Sequence, residues 1–111
     1  MQRLESHVYG QWFAGTGRQA SLVNPATEEV IAEASSEGIE FDRALRYARE
    51  NGVPALAAMS FGERAALLKA ISKLFHANRE TLLDVAQVNG GNTRSDAKFD
   101  IDGAIGTLGA Y

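Results

Sequence analysis

The spacing of apolar and polar positions changes period once along this chain. Over residues 7–34 the apolar residues come in short runs broken by turn formers: Val8, Tyr9, Trp12 and Phe13 around Gly10, then Ser21-Leu22-Val23, then Glu29-Val30-Ile31-Ala32-Glu33. Runs of this length, rich in β-branched and aromatic residues, predict strands. Ala14-Gly15-Thr16-Gly17 predicts a turn, because glycine takes positive φ at little steric cost. Asn24-Pro25-Ala26-Thr27 predicts another: proline fixes its own φ, and the Asn side chain closes an Asx-turn on its own backbone. The stretch reads as a small antiparallel β-meander.

From Glu37 onward the period is helical. Phe41, Ala44, Leu45 and Ala48 occupy one helix face, and Asn51-Gly52 predicts its end, with Gly52 in a left-handed cap. Pro54 suits the first turn of a short helix through Ala55-Leu56-Ala57-Ala58, where a missing N–H leaves nothing unpaired. Ser60 and Glu63 have capping-box spacing, and Leu67, Leu68, Ile71, Leu74 and Phe75 form the stripe that follows. His76-Ala77-Asn78 predicts a break, with Asn78 as N-cap of a helix bearing Leu82, Leu83, Val85 and Ala86 and ending at Asn89-Gly90-Gly91-Asn92. Ser95 is the expected cap of a last helix carrying Phe99, Ile101, Ala104, Ile105, Leu108 and Tyr111. That stripe is still in phase at Tyr111, with no capping glycine and no polar tail, so the pattern predicts a helix that continues beyond it. The fold class expected is α+β: an N-terminal antiparallel β-meander over 7–34, then about four helices over 39–111.

Composition narrows the function classes. The 111 residues suit one domain or part of a larger one. A hydrophobic fraction of 45% and a charged fraction of 23% are those of a globular chain. Net charge is −3, so there is no electrostatic footprint for nucleic acid. No apolar run is long enough to span a bilayer, and the opening Met-Gln-Arg-Leu-Glu-Ser-His lacks a signal core, so a cytoplasmic location is expected. The sequence has no cysteine, which excludes disulfides, thiolate metal sites and a cysteine nucleophile within these residues.

Few residues suggest chemistry. Gly103, Gly106 and Gly109 recur every third position, but a dinucleotide fingerprint needs a different spacing at a strand-to-helix turn. Inside a helix they form a small-residue face that lets another element approach, or a face kept low beside a ligand. Asp100-Ile101-Asp102-Gly103 resembles the middle of a calcium loop, but Lys98 and Gly109 stand where oxygen ligands are needed. The two aspartates are expected to serve instead as first-turn charges at the helix dipole. His7 and His76 are far apart in sequence and have no cysteine partner, so both read as structural and no metal site is expected. Trp12 reads as a packing anchor, and Arg43, Arg46, Arg49 and Glu50 as a solvated helix face. Glu28 and Glu29 have no acid partner at glycosidase spacing.

The order of the segments adds what the chemistry lacks. Gly10-Gln11-Trp12, followed by Leu22-Val23-Asn24-Pro25-Ala26-Thr27-Glu28-Glu29-Val30-Ile31-Ala32, resembles the opening of aldehyde dehydrogenases, with Glu28 where that family usually has glycine. Ser35-Ser36-Glu37-Gly38, residues 55–61, residues 63–70 and residues 100–108 resemble one branch of it. That branch holds the ring-opening enzyme of phenylacetate degradation and the semialdehyde dehydrogenase of the benzoyl-CoA epoxide pathway. The resemblance implies the N-terminal part of the coenzyme-binding domain of a much longer, oligomeric enzyme. That enzyme transfers hydride to NAD or NADP from a thiohemiacetal of a CoA-linked semialdehyde. It places the catalytic cysteine, the glutamate base, the oxyanion asparagine and the coenzyme site after these residues. This chain alone is therefore expected to bind no cofactor and to catalyse nothing. The helix at 99–108 is implied to line the mouth of the aldehyde tunnel, with Asp100, Gly103 and Thr107 facing it, and glycine at 103 widens that mouth. Two other readings remain: a free-standing helical module that self-associates or binds a partner protein through its uncovered face, and a small complete enzyme, for which the sequence offers no catalytic constellation.

Overall fold

A computed structural model describes residues 2–111, which form two units. One holds the strands and the first helical rod; the other joins residues 24–27 to residues 59–111.

In the first unit, β2 (Ser6–Val8) and β3 (Gln11–Phe13) pair antiparallel, with Ser6 opposite Phe13 and Val8 opposite Gln11. The two-residue turn between them is Tyr9-Gly10, with φ of 39° and 77°. Two positive φ values give a turn whose twist matches that of the strands. Tyrosine holds this conformation through its contacts. Its hydroxyl oxygen accepts the Glu40 backbone N–H at 3.0 Å, and the Arg43 guanidinium lies 4.2 Å above its ring. Glu40 precedes α1 (Phe41–Tyr47) and offers no side-chain cap, so Tyr9 satisfies an N–H at the helix start from the hairpin. Tyr47 reaches back over Gly10, where a Cβ would lie 2.7 Å from its hydroxyl oxygen.

The second hairpin joins β4 (Ala20–Val23) to β5 (Val30–Ala34), with Ala20 opposite Ala34 and an irregular register at Leu22/Val23. Its turn contains the expected Asx-turn, the Ala26 N–H donating to Asn24 Oδ1 at 2.9 Å. Two features depart from a single meander. The β2–β3 hairpin is a sheet of its own, and β1 (Gln2–Arg3) lies parallel to β5, giving the order β1-β5-β4. Gln2-Arg3 has no apolar alternation, so the pattern does not mark β1 as a strand.

The Asn51-Gly52 stop is overturned. α1 passes through a π-helical turn, Ala48–Gly52, directly into α2 (Val53–Ala57), and Gly52 is right-handed at φ −69° and ψ −49°. The Asn51 carboxamide donates at 3.1 Å to the Tyr47 carbonyl four residues back, while the ladder takes the wider spacing. Pro54 sits in the first turn of α2, as expected. The helices thus make four rods, counting 41–57 as one.

In the second unit, α3 (Phe61–Ala77) opens on the expected capping box. Glu63 N–H donates to Ser60 Oγ at 3.1 Å, and Ser60 N–H to Glu63 Oε2 at 2.7 Å. The break falls at Asn78 as expected, but the Asn78 side chain closes α3, donating to the Leu74 carbonyl at 2.9 Å, and does not cap α4 (Arg79–Gly90). α4 ends at Gly91, left-handed at φ 66°, with its N–H on the Gln87 carbonyl at 2.8 Å. α5 (Arg94–Ala110) is capped by Thr93, whose Oγ1 accepts the Asp96 N–H at 3.2 Å. The expected cap, Ser95, lies in its first turn instead. α5 packs on α3 and α4. Ala97, Ile101, Ile105 and Leu108, one helical face, are its least exposed apolar residues. Among the described residues only Ala32 in β5, Leu83 in α4 and Ala97 are buried apolar side chains, whereas Phe61 is 84% and Phe99 83% exposed.

Candidate functional site

Both α4 and α5 begin with an arginine. A helix N-terminus is the positive end of the macrodipole, where a cation is unfavourable. In each case carboxylates from the neighbouring helix or the next residue offset this. Arg79 places Nε and Nη2 on the two carboxylate oxygens of Asp102 in α5, at 2.7 and 2.9 Å, and Nη1 on Glu80 at 3.0 Å. Arg94 donates from Nη1 to Asp84 and Gln87, each at 3.1 Å, and from Nη2 to Glu80. The fork from Arg79 holds the Asp102 carboxyl below its ordinary range, against a partial loss of hydration, and the same hydrogen bonds raise the Arg79 guanidinium.

Two further hydrogen bonds reach the middle of α5. The Ser72 hydroxyl in α3 donates to the Ile105 carbonyl at 2.9 Å, and the Thr107 hydroxyl donates to the Gly103 carbonyl one turn back at 2.8 Å. Asp100, Gly103 and Thr107, at i, i+3 and i+7, lie on one exposed side of α5, away from the face that meets α3 and α4. The structure therefore brings the three expected site residues together. Asp102 does not join them. It sits about 200° around the helix from Asp100, so these carboxylates cannot share a cation. Both aspartates are in the helix interior, which corrects the expectation of first-turn charges; the first-turn acid is Asp96.

The glycine stripe is helical throughout, so these residues form no phosphate cradle. A Cβ at Gly103 or Gly106 would meet nothing within 4 Å, and one at Gly109 would touch Ser72 Oγ at 3.6 Å. Within the described residues, then, no element uses the low surface at Gly103 and Gly106. Elsewhere, Trp12 is not a buried anchor: it is 68% exposed and meets the His7 ring edge-on at 5.0 Å. Arg43 is engaged with Tyr9 and with Glu40 at 3.6 Å rather than merely solvated. Among the described residues, no group of three or more His, Cys, Asp or Glu could hold a metal, and no helix is long and apolar enough to cross a membrane.

The arrangement of strands, capped helices and a glycine-interrupted α5 has known counterparts. The chain belongs to the aldehyde dehydrogenase family, whose model matches residues 12–111. It is 46% identical over 98% of its length to 3,4-dehydroadipyl-CoA semialdehyde dehydrogenase of Aromatoleum evansii, and 29% identical over 89% to glutarate-semialdehyde dehydrogenase of Pseudomonas putida. It spans 21% of each of these relatives. The crystal structure of an NAD-dependent benzaldehyde dehydrogenase from Corynebacterium glutamicum superimposes with a TM-score of 0.83 at 28% identity, over 93% of this chain and 23% of that one. The strands and helices are thus the N-terminal portion of the aldehyde dehydrogenase fold.

Proposed function

We propose that this chain forms the first part of the coenzyme-binding domain of an NAD(P)-dependent aldehyde dehydrogenase. That enzyme oxidises a CoA-linked semialdehyde to the acid in aromatic catabolism, in a branch that includes phenylacetate degradation. The observation that carries this reading is the 46% identity, over nearly the whole chain, to a dehydrogenase named for a CoA-linked semialdehyde. The relative named for glutarate semialdehyde stands at 29%. The enzyme works as a cytoplasmic homo-oligomer. This sequence holds no cysteine, so a cysteine nucleophile lies outside these residues, and the resemblance puts the base and the coenzyme site outside them too. A nicotinamide coenzyme, when bound to that enzyme, would supply the hydride acceptor.

What these residues contribute is the approach to the site. Asp100, Gly103 and Thr107 line the mouth of the aldehyde tunnel, and the missing side chain at Gly103 leaves that mouth wider for a bulky acyl chain. The test is to express the complete reading frame and assay nicotinamide reduction with a CoA-linked semialdehyde and with a short aliphatic aldehyde. The CoA-linked substrate is expected to have the higher kcat/KM. No reduction with either would overturn the assignment. Gly103→Met is expected to lower kcat/KM for the CoA-linked substrate about tenfold while changing the short aldehyde little, a loss of about 1.4 kcal/mol. Equal effects on both would remove Gly103 from the mouth.

A further inference from the structure

α5 has a weak middle and is held at two points beside it. Gly103, Gly106 and Gly109 each lower its intrinsic helicity. The Thr107 hydroxyl returns to the Gly103 carbonyl at 2.8 Å, a contact that competes with the backbone ladder. Beyond the contacts that Arg94 makes with α4 at its start, the helix receives two long-range polar contacts beside these glycines, from separate partners. Arg79 in α4 forks Asp102, one residue before Gly103. Ser72 in α3 donates to the carbonyl of Ile105, one residue before Gly106. The apolar face cannot fix the helix alone. Its one buried member, Ala97, lies more than a turn before Gly103; beside the glycines it presents Ile101, Ile105 and Leu108, all only half-buried, and such a face fixes rotation weakly. A planar guanidinium on both oxygens of one carboxylate does not, because the fork fixes direction as well as distance. The Arg79 side chain keeps only a quarter of its surface exposed, so it is better shielded than an ordinary surface arginine.

We infer that the Arg79–Asp102 fork and the Ser72 hydroxyl on the Ile105 carbonyl form a two-point clamp. It sets the rotation of the middle of α5 about its own axis and so aims the side bearing Asp100, Gly103 and Thr107. Arg79, Asp102 and Ser72 are positioning residues: none lies on that side, and each acts through the helix. The importance of that side rests on the tunnel-mouth reading above; the clamp itself rests on the hydrogen bonds.

The test uses the complete dehydrogenase carrying this segment and reads two quantities. The first is amide hydrogen exchange over residues 103–109. Arg79→Gln and Asp102→Asn are each expected to speed it about threefold to tenfold, and the double variant no more than either alone, because both remove the same contact. Ser72→Ala is expected to add a separate increment. Arg79→Lys, which keeps the charge but loses the fork, falls between wild type and Arg79→Gln. The second quantity is KM for the semialdehyde, expected to rise severalfold with kcat and the coenzyme KM within about twofold, a split that simple loss of folded enzyme does not produce. Unchanged exchange in both single variants, or additive effects of Arg79→Gln and Asp102→Asn, overturns the clamp. Faster exchange with an unchanged aldehyde KM leaves the clamp standing and removes the tunnel-mouth reading instead.

Discussion

At the scale of single residues, two left-handed positions make opposite predictions. Gly91 needs its missing side chain twice over. Its φ is 66°, and a Cβ would lie 2.7 Å from Pro25 Cγ and 3.0 Å from the Ala26 nitrogen. Gly91→Ala is therefore expected to destabilise by about 1–3 kcal/mol, read as a drop in the thermal midpoint. Glu28 is the converse, a side chain at φ 63° in a turn where the resemblance described above implies glycine. The left-handed region costs a side-chain-bearing residue about 1–2 kcal/mol, and glycine's greater unfolded-state freedom returns part of that. Glu28→Gly is expected to stabilise by about 0.5–1 kcal/mol in a denaturant titration, and a lower midpoint would mean that the glutamate has a compensating contact.

At the scale of elements, what could be read in the sequence was what local chemistry decides. The capping box at Ser60 and Glu63, the Asx-turn at Asn24 and the helix end within Asn89-Gly90-Gly91-Asn92 each depend on residues within a few positions, and each is present. The misreadings fall where a distant or competing partner decides. β1 exists because β5 offers it an edge, not because Gln2-Arg3 favours a strand. Gly52 continues a helix because φ near −69° is as open to glycine as a left-handed cap. Thr93 and Ser95 are both competent caps, and spacing alone does not choose between them. Asp100, Gly103 and Thr107 were singled out by family resemblance alone; helical spacing then puts them on one side of α5. The Arg79–Asp102 contact had one visible trace, a basic residue opening a helix against its dipole. The same element yields a prediction. With open space around Gly106, Gly106→Ala is expected to stabilise the 111-residue chain by about 1 kcal/mol through helix propensity. If the proposed longer enzyme covers this face, the gain should shrink or reverse there. An equal gain in both settings would show that this face stays bare.

At the scale of the whole molecule, apolar exposure dominates. Phe41, Val53, Phe61, Leu74, Val85 and Phe99 are all more than half exposed, and only three apolar side chains among the described residues are buried. Prepared alone, the 111-residue chain is expected to self-associate at micromolar concentration, read by sedimentation velocity. A single monomeric species at high concentration would count against the reading that these faces serve an interface. The parallel pairing of β1 with β5 bears on how such a chain is born. Gln2 and Ala32 are about thirty positions apart, whereas β4 and β5 meet across a short turn. On the ribosome the leading residues emerge long before their hydrogen-bonding mates, and closing the longer loop carries the greater entropic penalty. The local hairpin is expected to assemble before β1 docks on it, so a segment made earlier than β4 and β5 joins this sheet after they have paired.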